Sequence, residues 1–319
     1  MSRFRVGDWV EVRSRAEILG TLDSQATLGA LPFMPEMLQH CGKRYRVGKS
    51  AHKTCTPPSL SMRTMEETLH LAGLRCNGEA HGGCQAGCLF FWKEAWLRPV
   101  EGPGPGMAPA EPPEDVPELL ASATRAHDDA GERYRCQSTD LVQATQPARW
   151  WDPRLLARDL TTGNVRLRDL VRYGLLAIFN SALRMAKRRT YPFLRPRAGG
   201  KTPTASLGLQ PGEQVRVLAA DEIMATLDEK KRNRGLRFDV ELWPYCGKPA
   251  RVLRRAERFI DERTGRMVEP RGACVILDEV ACSGNYAEGR IFCSRAIYSY
   301  WHEVWLRRSE PAPRGNERR

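Results

Sequence analysis

Three cysteines fall within thirteen residues of the stretch CNGEAHGGCQAGCLFFWKEAWL, which runs from Cys76 to Leu97, and glycines separate them. A related stretch, CSGNYAEGRIFCSRAIYSYWHEVWL, runs from Cys282 to Leu306. Thiolates gathered at glycine turns suit a borderline-soft metal ion, which four sulfurs close into a tetrahedral structural site. In the first half of the chain Cys41, Cys76, Cys84 and Cys88 offer such a set. In the second, Cys246, Cys282 and Cys293 occupy the places of the first three, and Cys274 is the candidate fourth, with His302 or a water as its substitute. Zinc at two sites is the expectation. An iron–sulfur cluster held by cysteines, or buried thiols packed as small apolar groups, are the alternatives. Seven residues separate Cys76 from Cys84 and three separate Cys84 from Cys88, so this is not the CxxC knuckle. Cys55 and Cys136 lack a partner in the other half and read as ordinary thiols. His52, His70 and His81 have no counterpart either, and read as packing or surface residues.

The elements that position these cysteines recur. Cys41 and Cys246 lie 205 residues apart, and the same offset joins Val10 to Val215, Glu17 to Glu222, Phe33 to Phe238, Glu36 to Glu241 and Arg46 to Arg251. The offset grows to 206 at Cys76 and Cys282, then to 209 at Trp92 and Trp301, Glu94 and Glu303, Trp96 and Trp305. An ungapped match of this length reads as an internal repeat. The growth falls in polar or glycine-rich stretches, where loops accept insertions.

VGDWVEV alternates as a strand opening a small barrel does, and short strands with glycine turns follow. The expected fold class is therefore α+β, mostly β: two homologous small β-barrel-like modules joined by a partly helical middle. Residues 1–100 form the first cysteine-rich module and 101–118 a Pro/Gly-rich linker. Residues 119–200 form a helical basic middle segment, 207–309 the second module and 310–319 a disordered tail. PELLASATRAHDDAGERY can begin a helix, and Pro153 suits a helix start. The best helix is Val165 to Arg189, in which Leu167, Leu170, Val171, Leu175, Ile178 and Leu183 recur at near-helical spacing. It is either a core helix tying the modules together or an interfacial helix on an anionic membrane.

The net charge of +12 invites anionic partners. From Arg166 to Lys201 there are ten Lys or Arg and one acid, Asp169, which makes Arg184, Lys187, Arg188 and Arg189 candidate contacts to nucleic acid. Trp92, Trp96, Trp301 and Trp305 either close the two cores or form a stacking platform for single strands. No run of eighteen apolar residues predicts a membrane-crossing helix, and the N-terminus lacks the pattern of a secretory signal, so a cytoplasmic protein is expected. GxxxxGK[ST], HExxH, GxSxG and a helix-opening GxGxxG are all absent.

The phrases LPFMPEMLQHCGKRYRV, CNGEAHGGCQAGCLFFWKEAWL and YCGKPARVLRR with YWHEVWLRR resemble a family of uncharacterised bacterial proteins with this doubled architecture. The resemblance also takes in ARWWDPRLLARDLTTGNVRLRDL. It implies a bacterial cytoplasmic setting and brings no activity with it. Three functions follow from the residues: a non-enzymatic, zinc-stapled binding or scaffold protein, a nucleic-acid-binding protein using the basic middle segment, and a metalloenzyme with an open thiolate site in the second module.

Overall fold

A computed structural model describes residues 2–56, 61–104, 116–128, 131–196, 203, 205–287 and 289–309. The fold is α+β with more strand than helix, and it is built on a half-barrel sheet. The chain divides into two compact units. The first takes Met1–Met185 together with Arg258–Val268 and Ser283–Ile297, and the second takes Ala186–Glu257, Glu269–Cys282 and Tyr298–Arg319. Two loops of the second cysteine-rich half thus belong to the first unit. Residues 105–115 of the expected linker, and the whole of the expected tail, lie outside the described residues.

The first unit includes the strands β1 (Trp9–Val12), β2 (Arg44–Ser50), β3 (Lys53–Thr56), β4 (Ser61–Thr64), β5 (Thr68–Leu71), β6 (Trp92–Lys93) and β7 (Leu97–Pro99). The five-stranded antiparallel sheet has the order β6-β5-β2-β1-β7. Val10 stands opposite Tyr45 and Pro99, and Leu69 opposite Trp92. Alternation along β1 sends Val10 and Val12 into a core with Ile18, Phe33, Met37, Trp92 and Trp96. β2 shifts register between Val47 and Lys49. There Gly48 lies so close to β5 that an added Cβ would sit 3.2 Å from the Ala72 backbone. A short helix, α1 (Arg15–Leu19), follows β1.

In the second unit the strands are β8 (Gln214–Val217), β9 (Pro249–Arg255), β10 (Cys274–Ala281), β11 (Tyr298–His302) and β12 (Leu306–Arg308), in the order β11-β10-β9-β8-β12. Val215 stands opposite Ala250 and Arg308, and Val275 opposite Trp301. These partners sit at the sequence offsets of their first-unit counterparts. Val215, Val217, Ile223, Phe238, Trp301 and Trp305 form the core.

Between the cysteine-rich halves, the helix expected from Pro117 onward stops at Ala123 and gives way to a ribbon pairing Thr124–Asp128 with Gly131–Tyr134. Gly131, at φ +98°, takes a backbone conformation that other residues resist. Two helices follow: α2 (Pro153–Thr161), capped by Asp152, and α3 (Leu167–Met185). The core reading of α3 needs correction for most of its apolar residues. Ala177, Leu170 and Tyr173 pack against Ile291 and Phe292, whereas Leu167, Val171, Leu175 and Ile178 are exposed. Among the described residues no helix is long and apolar enough to cross a membrane.

Candidate metal centre

Glu36 lies on a short 3-10 helix, Pro35–His40, opened by Pro35, and its side chain is buried. The glycine loop after Cys76 wraps round it. Backbone bonds from His81 N and Gly83 N to the Gly78 carbonyl (both 3.0 Å), and from Cys84 N to the His81 carbonyl (3.1 Å), wind the loop tightly. Gly78 is indispensable to that winding. Its φ is +78°, and a Cβ there would meet the Cys84 carbonyl oxygen at 2.1 Å. Cys76 N donates to the Cys88 carbonyl at 2.8 Å and closes the loop.

The loop brings three ligand types together. His81 Nδ1 lies 2.6 Å from Glu36 Oε1, Cys76 Sγ lies 3.7 Å from the same oxygen, and Ala80 N donates to it at 3.1 Å. Among the described residues this is the one group of three or more His, Cys, Asp or Glu whose ligand atoms all lie within 4.8 Å of one another. Two further details suit a metal. His81 Nε2 lies 2.9 Å from the Arg135 carbonyl. With Nε2 donating there, Nδ1 is the nitrogen turned toward Glu36 and Cys76, and a metal would take the place of the proton it shares with Glu36. Glu36 Oε2 is buried with no hydrogen-bond partner among the described residues, a costly state for a carboxylate oxygen unless a cation satisfies it.

Burial raises the Glu36 carboxyl pKa, but His81 and the Ala80 N–H outweigh it and hold the group below its ordinary value. Burial, with Glu36 and Cys88 beside it, pushes the Cys76 thiol well above its ordinary value. Without a cation Cys76 keeps its proton, and a bound metal is what would release it.

The structure does not bring Cys41, Cys76, Cys84 and Cys88 to one point. Cys41 packs in the core, where burial pushes its thiol up to about 11. Cys84 Sγ accepts from Ile260 N at 3.4 Å, and Cys88 Sγ accepts from the Ser138 hydroxyl at 3.5 Å. The second set is not gathered either. Cys246 contacts the Leu242 carbonyl at 3.8 Å, and Cys274 faces His302 Nδ1 at 3.7 Å. Cys282 belongs to the second unit, whereas Cys293 lies in the first and hydrogen-bonds Cys55. In place of two four-sulfur sites, the described residues gather one mixed group, which shares only Cys76 with the expected cysteine sets. The repeat carries no signal for His81, since the other half has no matching histidine. The signal for Glu36 was its recurrence as Glu241 together with its place beside Cys41.

The Cys274–His302 contact has the look of a nucleophile and its base, but the electrostatics oppose it. Burial pushes the Cys274 thiol up to about 12 and the His302 imidazole pKa down, so both stay neutral at physiological pH. A second buried polar group, also missed in the sequence, is structural in character. Lys53 Nζ meets Asp159 Oδ2 at 2.5 Å and His52 Nε2 lies 3.2 Å from Asp159 Oδ1, all three side chains fully buried, so that α2 is pinned to β3. Trp92, Trp96, Trp301 and Trp305 are completely buried, which leaves no ring face for a nucleic-acid base. The Nε1 groups of Trp96 and Trp305 donate to Thr21 and Thr226, both at 3.0 Å. Arg184, Lys187, Arg188 and Arg189 are all exposed.

Fold and site together define an α+β protein with a Glu–Cys–His group under a glycine loop, its glutamate and histidine buried and its cysteine half-buried. No protein-family model, no curated protein and no solved structure matches the chain.

Proposed function

We propose that this is a non-enzymatic, zinc-stapled binding or scaffold protein whose two half-barrel sheets descend from one duplicated module. The observation that carries the metal is the Glu36–Cys76–His81 group, with the orphaned Glu36 oxygen beside a histidine whose other nitrogen is already tied to a carbonyl. A mixed oxygen, sulfur and nitrogen donor set suits zinc. An iron–sulfur cluster would call on four thiolates, and these are not gathered. A water would complete the shell. The staple would fix the loop from Cys76 to Cys88 onto the turn that carries Glu36, and so shape one end of the first sheet. The duplication is supported by equal strand order and by partner registers at constant offsets.

Elemental analysis of freshly purified protein tests the reading. About one zinc per chain is expected, lost in Cys76→Ser and in His81→Ala, with faster amide exchange in residues 76–88 after chelation. Metal-free protein from zinc-supplemented growth, or zinc retained in the Cys76→Ser/His81→Ala double variant, rejects it. A visible absorption band would turn it toward redox chemistry.

A further inference from the structure

Helix α3 carries two apolar faces. One is used: Ala177 is buried against Ile291 and Phe292, with Leu170 and Tyr173 packed beside it. The other is open to solvent. Leu167 is 64% exposed, Val171 53%, Leu175 62%, Ile178 61%, Phe179 49% and Met185 80%. At about 100° per residue these six, with the exposed Ala182, fall within roughly a third of the helix circumference. An exposed apolar stripe this long marks an interaction surface.

Charge selects the occupant. From Arg166 to Arg189 the chain holds seven basic residues (Arg166, Arg168, Arg172, Arg184, Lys187, Arg188 and Arg189) and a single acid, Asp169. Arg168 and Arg172 are exposed along one edge of the apolar stripe. A second copy of the helix would set like charge against like charge at the positions where paired helices need opposite signs. A nucleic acid would meet the arginines but gain nothing from six bare apolar side chains. An anionic bilayer satisfies both features, with acyl chains for the stripe and headgroup phosphates for the arginines.

We propose that the exposed face of α3 docks on an anionic membrane surface, lying in its plane without crossing it. The exposed stripe and the charge bias, which the zinc reading does not use, carry this independently of any metal.

Co-sedimentation of the full chain with vesicles tests the proposal. Phosphatidylcholine vesicles are compared with phosphatidylcholine mixed with phosphatidylglycerol, at low and at high salt. Binding is expected only to the anionic vesicles, weakened by salt. A drop of tenfold or more is expected in the Leu175→Glu/Ile178→Glu variant and again in Arg168→Glu/Arg172→Glu. All four side chains are exposed, so circular dichroism and the thermal midpoint of both variants should match the parent. Three outcomes overturn it: equal binding to neutral and anionic vesicles, no binding to either, or unchanged binding by both variants. So does a dimer in sedimentation equilibrium that Leu175→Glu/Ile178→Glu dissolves, since the stripe is then covered by a second copy.

Discussion

The two sheets are built alike and loaded differently. Val10 and Val12 in one, and Val215 and Val217 in the other, bury the same face of a central strand, and a tryptophan at the same place donates to a threonine hydroxyl in each. Each also keeps a buried glutamate on a 3-10 turn, Glu36 and Glu241. Around Glu36 the glycine loop supplies Cys76, His81 and an amide. Around Glu241 the neighbours differ: Tyr245 lies near enough to both Glu241 and Cys282 for their charges to act on its hydroxyl. No histidine lies between Gly284 and Cys293, and that stretch belongs to the first unit. Two sheets of the same strand order thus differ in what their loops bring to the buried glutamate, and loops accept insertions without disturbing strand registers.

The sharpest way to break this comparison is to remove the two corresponding cysteines one at a time. Cys76→Ser should abolish zinc binding, and Cys282→Ser should leave the zinc content at the parent level, both read by elemental analysis. Equal losses would mean that the second sheet holds metal too, and the contrast between the loops would fail.

The opening strand and the correspondence of residues between the halves were readable in advance, because burial on one face forces alternation and a constant offset matches positions, whereas which strand pairs with which was not. The Glu36–Cys76–His81 group was only partly readable. Cys76 stood out by type, but Glu36 is forty residues away and reaches it through a turn whose direction no periodicity encodes. Symmetry between the halves, so useful for the strands, argued against His81. The division into units was hidden for a related reason. Ser294 is joined to the Lys53 carbonyl by its backbone N–H at 3.2 Å and its hydroxyl at 2.8 Å, contacts that leave no pattern of side-chain types. The spacing in α3 announced a helix with apolar faces but not which of them would pack.

The recurring glutamates between Trp92 and Trp96, and between Trp301 and Trp305, give a smaller contrast. Glu94 binds the Ser2 hydroxyl and accepts from Arg3 N at 3.0 Å. Glu303 accepts from the amides of Leu207 (2.6 Å), Gly208 (2.8 Å) and Leu209 (3.0 Å) and pairs with Arg255 at 3.0 Å. Burial raises the Glu303 pKa, but Ser206 and these amides outweigh it and hold the group below its ordinary 4.5. A depressed folded value means that its contribution is present above 4.5 and lost as the pH falls through the folded value. Glu303→Gln should cost about 2–3 kcal/mol at neutral pH, read as faster amide exchange at residues 207–209. It should also flatten the acid limb of that exchange. An unchanged acid limb would mean that another carboxylate governs it.

The smallest expected effect concerns helix starts. Ser14 caps α1: its hydroxyl accepts from Glu17 N at 3.3 Å, while Glu17 Oε2 returns to Ser14 N at 2.9 Å. The Ser14 hydroxyl, followed by its amide, lowers the Glu17 pKa to about 2. In the second sheet the corresponding helix, Ala220–Met224, keeps only half of this arrangement. Glu222 Oε2 accepts from Ala219 N at 2.8 Å, but alanine has no hydroxyl to offer in return. The backbone is ready for one, since Ala219 (φ −63°, ψ 154°) matches Ser14 (φ −60°, ψ 157°). Ala219→Ser should therefore stabilise the second unit by about 0.5–1 kcal/mol, and Ser14→Ala should cost the first a similar amount. Amide exchange at Glu222 and Glu17 measures each locally, and NMR titration of Glu17 in Ser14→Ala should show its pKa rising toward 4.5. If Ala219→Ser gains nothing while Ser14→Ala still costs, the two helix starts differ in more than one hydroxyl, and the equivalence of the sheets stops at their strands.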